Sequence, residues 1–355
     1  MTRDSIWLIF SRRQPGIMNV LYLYRFILPL FSIVFWNLEN HFDYFNGGKS
    51  DSDAEFSSRG ARHWTKKRFE AKNAMIGKTI LWSSGSWSGG ISGSAAESAL
   101  CPPAIVGIAE VENAFVLKRL CGCEVLRKSG YRHIHFESRD QRGIDVGLMY
   151  LPDSVQLVRA DHIPIVSGHD TLTTRDILYA FFKERRSGSS WHFFVNHHPS
   201  KYGGKASESR RIAAMQTLMG QMDSLYAAGE RNIVAMGDFN DGPDGEAFRL
   251  VAESEWAVNL GLELLRSSGS KAVGTIRYHG NWELIDNFIV SRDVAKRMQM
   301  QILRPSFLME RDRSFPGEKP RRTYIGPRYN GGVSDHLPIL LFPGQNPQQT
   351  DFNRQ

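Results

Sequence analysis

Acidic, amide and imidazole side chains gather in this chain where apolar runs stop. W-N-L-E-N places Asn37 and Glu39 after an aromatic, β-branched run, I-V-G-I-A-E-V-E-N places Glu110 and Glu112 after another, and I-V-A-M-G-D-F-N-D places Asp238, Asn240 and Asp241 after a third. W-E-L-I-D-N-F-I-V sets Asp286 inside an apolar run, and G-V-S-D-H-L-P puts Asp335 and His336 just before the last one. Residues two apart on an extended chain face the same way. Asn37 with Glu39, and Asp238 with Asn240, are therefore each expected to enter one pocket. Carboxylate and amide oxygens without paired thiols suit Mg²⁺ or Mn²⁺, with Ca²⁺ as a further candidate, rather than structural zinc.

Taken singly, each piece has an ordinary explanation. G-D-F-N is also what a turn closing a strand looks like, since Gly, Asp and Asn are turn formers. Asp286 in L-I-D-N-F is costly to bury unless paired. Five such coincidences at strand ends are harder to explain without a shared site.

The elements that must position these residues follow from pattern. Phe31 to Asn37, Ala104 to Ala109, Tyr131 to Phe136, Asp145 to Tyr150, Ile177 to Phe182, Trp191 to Asn196, Asn232 to Met236, Glu283 to Val290 and Leu337 to Phe342 read as short strands. Residues 65 to 82, with Thr65 as cap, and 207 to 227, with Ile212, Met215, Leu218, Met219, Met222 and Leu225 as an apolar stripe, read as helices, and a shorter helix is expected from Asn113 to Leu120. The polar stretch up to about residue 63 reads as a long surface loop, and the Ser/Gly-rich 83–99 as an insertion. Many short strands with few helices predict an α/β fold of two packed sheets with helices outside. One catalytic domain over 31–342 is expected, followed by a loose tail at 343–355.

Composition bounds the rest. The chain has 355 residues, 44 Lys plus Arg against 37 Asp plus Glu, and a formal net charge of +7. An excess of that sign favours polyanionic partners. Cys101, Cys121 and Cys123 are an odd number in a chain large enough to need no staples, so no disulfide framework is implied. Residues 17 to 36 are apolar but carry Arg25 and Pro29, and no A-x-A cleavage pattern follows. The 1–30 segment thus reads as a signal or anchor candidate, and localisation stays open between cytoplasm and export.

W-N-L-E-N, A-E-V-E-N, N-H-H-P-S-K, G-D-F-N-D, L-I-D-N-F and S-D-H-L-P occur in the order found in the endonuclease/exonuclease/phosphatase superfamily, and in its bacterial branch most closely. The resemblance covers residues 31 to 342. It implies a four-layered α/β sandwich, two mostly antiparallel sheets flanked by helices, with the site at one edge. It also implies Glu110 as the principal metal ligand, with Asn37, Glu39 and Asp335 near the metal or its waters. Many members carry Asp where this chain has Glu39. Asp238 would orient or deprotonate the attacking water, Asn240 would hold a phosphate oxygen, and His336, supported by Asp286, would bond the phosphate or share in proton transfer. His197 matches a further catalytic histidine, with His198 as its rival because a one-residue slip exchanges their faces. Arg175 resembles a phosphate-facing arginine, and R-G-I-D-V-G adds Asp145.

These residues imply a metal-dependent phosphodiesterase, most simply a nuclease, acting as a monomer on nucleic acid without an obligate protein partner. A lipid phosphodiesterase of the sphingomyelinase kind and a small-molecule or inositol phosphatase use the same chemistry. A catalytically silent binding protein with this fold would be marked by loss of catalytic positions, yet Asn37, Glu110, Asp238, Asn240, Asp286, Asp335 and His336 all stand. Arg210 and Arg211 suit contact with a phosphate backbone, or simply form a solvated helix face.

Overall fold

The computed structural model describes residues 31–47, 50–85, 102–201, 204–269 and 273–344. The apolar segment 1–30, most of the Ser/Gly-rich insertion and the tail after 344 lie outside the described residues. Leaving aside short ribbons and single turns, the chain runs β1 (Ile33–His41), α1 (Lys66–Gly85), β2 (Ile105–Val111), α2 (Ala114–Cys121), β3 (Arg132–His135), β4 (Asp145–Tyr150), β5 (Val155–Ile163), β6 (Ile177–Glu184), β7 (Ser190–His197), α3 (Gly204–Ala227), β8 (Ile233–Asp238), β9 (Ala257–Asn259), α4 (Leu260–Ser267), β10 (Asp286–Ser291), β11 (Met298–Ile302) and β12 (Ile339–Pro343).

Two six-stranded sheets result, in the orders β11-β12-β1-β2-β4-β3 and β9-β10-β8-β7-β6-β5. Each is antiparallel except at its centre, where β1 runs parallel to β2 in the first sheet and β7 parallel to β8 in the second. Period-two alternation sorts the side chains into layers. On β1, Ile33 and Phe35 enter the core between the sheets, together with Leu148, Phe193, Met236 and Phe288. Val34 and Trp36 point the other way, onto Ile76 of α1 and Leu117 of α2. On the far side Phe194 and Ala235 pack against Met215, Leu218, Met219 and Met222 of α3, the i, i+3, i+4, i+7 stripe of an amphipathic helix. Central strands buried on both faces explain the unbroken apolar runs, each large side chain contributing roughly 1.5–3 kcal/mol. The result is the four-layered sandwich.

Several elements differ from the sequence pattern. The stretch after β1 is no simple surface loop: Phe42, Phe56 and Trp64 are buried, and Ser50 caps a short helix, Asp51–Glu55, by accepting from Asp53 N. Strand β5 lacks a clear apolar pattern, and β11 and helix α4, though M-Q-M-Q-I alternates and L-G-L-E-L-L-R-S is amphipathic, are too short to stand out in the sequence. β5 is an edge strand in which only Val155 is buried, and β11 is an edge strand of five residues. Among the described residues no helix is long and apolar enough to cross a membrane. Cys121 and Cys123 are free thiols.

Candidate active site

The two parallel pairs deliver their C-terminal ends to one rim of the sandwich. β1 and β2 end there with Asn37 and Glu110, and β7 and β8 with His197 and Asp238, which are register partners. The antiparallel neighbours begin there: β10 opens with Asp286, the register partner of Asp238, and His336 stands just ahead of β12. Gly237 is required by this arrangement, because a Cβ there would lie 2.6 Å from the Asn196 carbonyl oxygen on β7.

The strand ends are turned by left-handed, non-glycine residues: Glu39 (φ 49), Asn40 (φ 50), Glu110 (φ 62) and Asn240 (φ 50). Such conformations are rare and mark constrained positions. They also undo the simple alternation expected for Asn37 and Glu39. Asn37 Oδ1 accepts from Glu39 N at 2.9 Å, which folds the chain back. The Asn37 amide then reaches Asp238 Oδ2 (2.9 Å) and Glu110 Oε1 (3.4 Å), while the Glu39 carboxylate turns to Arg322 Nε (2.8 Å) and Thr323 N (3.1 Å). Asp238 repeats the device, Oδ1 accepting from Asn240 N at 2.9 Å, and Asn240 Nδ2 donates to the His198 carbonyl at 2.9 Å. The S-D-H segment is locked onto β1: Ser334 Oγ donates to Asn37 O (2.6 Å) and accepts from His336 N (3.0 Å), and Trp36 Nε1 donates to His336 O (2.9 Å).

Asp238 Oδ2 lies 3.8 Å from Nε2 of both His197 and His336. His197 Nε2 is also 3.7 Å from Glu110 Oε1, and His336 Nδ1 pairs with Asp286 Oδ2 at 2.8 Å. The two imidazoles are shifted in opposite directions. Burial, then Arg175 and Arg142, keep His197 well below the usual histidine range. Burial would lower His336 too, but Asp286 and Asp238 outweigh it and hold it well above that range. Burial pushes Asp238 up to about 7 against the pull of His336. Titratable groups driven apart in this way are how a site separates acid from base.

His198, the rival histidine, faces away. Its ring packs edge-on against Phe239 at 4.9 Å, and only its backbone serves the site, N donating to Asp238 O and the carbonyl accepting from Asn240 Nδ2. Arg175 lies just before β6, buried, donating to Asp140 Oδ2 (3.0 Å) and to the same His198 carbonyl (2.9 Å). Asp145 instead pairs with Ser138. Arg211 is buried and bonds Ser200 O and Ser207 Oγ, so it is no solvated helix face, whereas Arg210 is exposed.

Three cations went unread in the sequence. Arg322 joins Glu39 to Asp335, whose Oδ2 is 3.1 Å from Nη2. Lys72 of α1, buried, donates to Glu39 O (2.8 Å) and Thr323 Oγ1 (3.0 Å). Arg142 Nη2 stands 3.8 Å from Glu110 Oε1. Arg142 sits in R-G-I-D-V-G, a signal that was available; nothing distinguishes Lys72 or Arg322 from other basic residues along the chain.

Glu39, Glu110 and Asp335 all act on Lys72 and on Arg322. Burial, then Asp335, push Glu39 up to about 7 despite those two cations. A set of hard carboxylate oxygens still short of positive charge fits a divalent ion. Two cavities flank this centre. One of about 290 Å³ is lined by Glu39, Asn40, Phe56, Arg62, Arg322 and Tyr324; the other, of about 470 Å³, includes Asp140, Arg142, Arg175 and Arg210 in its walls.

With this geometry in view, comparison with known proteins is decisive. Residues 32–344 match the Endonuclease/Exonuclease/phosphatase family. The chain belongs to that family. Members are phosphoester hydrolases, typically dependent on a divalent metal. No curated protein matches the sequence, but solved structures match the fold. The human Nocturnin catalytic domain with bound sulfate anion is 15% identical, with TM-score 0.55, covering 88% of this chain and 94% of that one. A Bacteroides thetaiotaomicron mannosyl-6-phosphatase is 16% identical, with TM-score 0.55, covering 89% and 100%. D. rerio TDP2 complexed with single strand DNA product is 14% identical, with TM-score 0.52, covering 89% and 99%.

Proposed function

We propose that this family member is a divalent-metal-dependent phosphodiesterase acting on nucleic acid. The observation that carries the reading is the placement of Asp238 between the imidazoles of His197 and His336, beside Glu110. Glu110, with Glu39 and Asp335, would hold the ion, and Asn37 orders the carboxylates around it. Once bound, such an ion neutralises phosphate charge and acidifies nearby water. Asp238 orients the attacking water and receives its proton. His336, kept cationic and aligned by Asp286, donates to the phosphate or to the leaving oxygen. His197, neutral, is placed to share the proton held at Asp238, and Asn240 can donate its second amide hydrogen to a phosphate oxygen. Arg142, 3.8 Å from Glu110, would offset charge that develops in the transition state.

Nucleic acid is favoured by the net charge of +7 and by the cavity carrying Arg142, Arg175 and Arg210, which suits further backbone phosphates. A small phosphomonoester is the second reading, favoured by the aromatic-walled cavity of about 290 Å³ on the other flank. The test is hydrolysis of bis-p-nitrophenyl phosphate with Mg²⁺ or Mn²⁺, with and without chelator. A panel of single-stranded DNA, plasmid DNA, RNA, sphingomyelin, phosphorylated inositols and sugar phosphates follows. Chelator-sensitive turnover with cleavage of nucleic acid is expected. Phosphate release from monoesters alone selects the second reading, and no metal-dependent turnover on any substrate rejects both.

A further inference from the structure

A second cluster of ligand-type side chains lies at the base of the β3–β4 connection, apart from the residues above. His135 ends β3, Asp145 opens β4, and Glu137 stands between them in the connection. A histidine nitrogen and one oxygen from each carboxylate all fall within 4.8 Å of one another. The His135 side chain is only 3% exposed, with Nε2 3.6 Å from Asp145 Oδ2 and Nδ1 3.7 Å from Glu137 Oε1. Those separations are too long for hydrogen bonds, and Nε2 is buried with no hydrogen-bond partner. Leaving such a group unpaired is costly.

We propose that His135, Glu137 and Asp145 bind one transition-metal dication of the Zn²⁺ kind, at a site distinct from the catalytic carboxylates. A mixed imidazole and carboxylate set favours zinc-like ions over Mg²⁺. The supporting contacts suit a ligand carboxylate: Asp145 Oδ1 accepts from Ser138 N at 3.2 Å and from Ser138 Oγ, leaving Oδ2 facing the imidazole. Glu137, 74% exposed, supplies the open side by which an ion enters.

The site has a mechanical consequence. Residues 136–144 carry Asp140, which holds Arg175, and Arg142, which faces Glu110. Cross-linking the base of this loop would fix both arginine positions beside the active centre.

Zn²⁺ titration of the whole protein by calorimetry, in excess Mg²⁺ to cover the hard carboxylate set, tests this. One Zn²⁺ per chain is expected for the wild-type protein and equally for Glu110→Gln. Glu137→Ala, exposed and therefore safe for folding, should weaken binding at least about tenfold, and His135→Ala should abolish it. Co²⁺ in place of Zn²⁺ should give a visible absorption band that the same two substitutions remove. The proposal is overturned if no Zn²⁺ binds under excess Mg²⁺, if Glu137→Ala binds as tightly as wild type, or if Glu110→Gln removes the bound ion.

Discussion

The Asn37 side-chain amide donates to Asp238 Oδ2 at 2.9 Å, joining the end of a central strand in one sheet to the end of its counterpart in the other. Each residue uses one side-chain oxygen in the same way. Asn37 Oδ1 accepts from Glu39 N and Asp238 Oδ1 from Asn240 N, each two residues on, the local turn that Asn and Asp side chains form readily. One bond therefore couples two matching turns, and through them the carboxylate side of the site to its imidazole side.

Asn37→Ala should consequently disturb both halves. It leaves a buried carboxylate oxygen and the Glu39 amide without their partner, at a cost of about 1–3 kcal/mol. It should also lower turnover at least about 10²-fold, because Asp238 loses its fixed orientation. Urea unfolding alongside initial rates measures the two effects; near-normal turnover would remove Asn37 from the site.

How much of this was legible beforehand depends on the residue. Central strands are buried on both faces, so their apolar runs, and the polar residues that interrupt them at Asn37, Glu110, Asp238 and Asp286, stand out in the sequence. The direction of Glu39 does not, because it depends on left-handed conformations at Glu39 and Asn40 that alternation does not anticipate. Lys72 and Arg322 reach the site from a helix and from a ribbon-rich loop, and their role comes from their partners, and for Lys72 from burial, rather than from pattern. Edge strands β5 and β11 were missed because each has one dry face at most and so no unbroken apolar run.

Asp286 and His336 should act as a unit. Their 2.8 Å contact fixes which imidazole nitrogen faces Asp238 and supports the ring's charge. Asp286→Asn and His336→Ala are each expected to cut kcat by about 10²–10⁴-fold with little change in KM. The double variant should be hardly worse than the more damaging single one. A multiplicative loss in the double variant would mean that they serve separate steps.

Arg322 links Glu39 to Asp335 where the proposed ion is needed. Its side chain is 46% exposed, so solvent screens the pair and the direct cost of Arg322→Ala is about 1 kcal/mol or less. The variant should be more sensitive to metal removal than wild type, because Glu39 and Asp335 then lose the guanidinium that pairs with both of them. Thermal melts with chelator and with added Mg²⁺ read this directly. The variant's melting temperature should rise more on Mg²⁺ addition than that of wild type, and equal rises would rule the carboxylate pair out as the metal's seat.

The adjacent histidines should separate cleanly by activity and by pH. His197 faces Glu110 and Asp238, so His197→Ala should lose at least about 10²-fold in turnover. His198 packs on Phe239 with neither ring nitrogen hydrogen-bonded, and burial, then Arg175 and Arg211, lower it to about 3. An unfolded histidine titrates near about 6.5. The folded state thus resists protonation that the unfolded state accepts. The stability this confers is complete above about pH 6.5 and is lost as pH falls toward about 3, at roughly 1.4 kcal/mol per pH unit. His198→Leu keeps the apolar contact and removes the titration. It should flatten the acid limb of the stability curve between those limits while leaving turnover within about tenfold of wild type. An unchanged acid limb would place the sensitive group elsewhere, and a turnover loss at His198 exceeding that at His197 would reverse their roles.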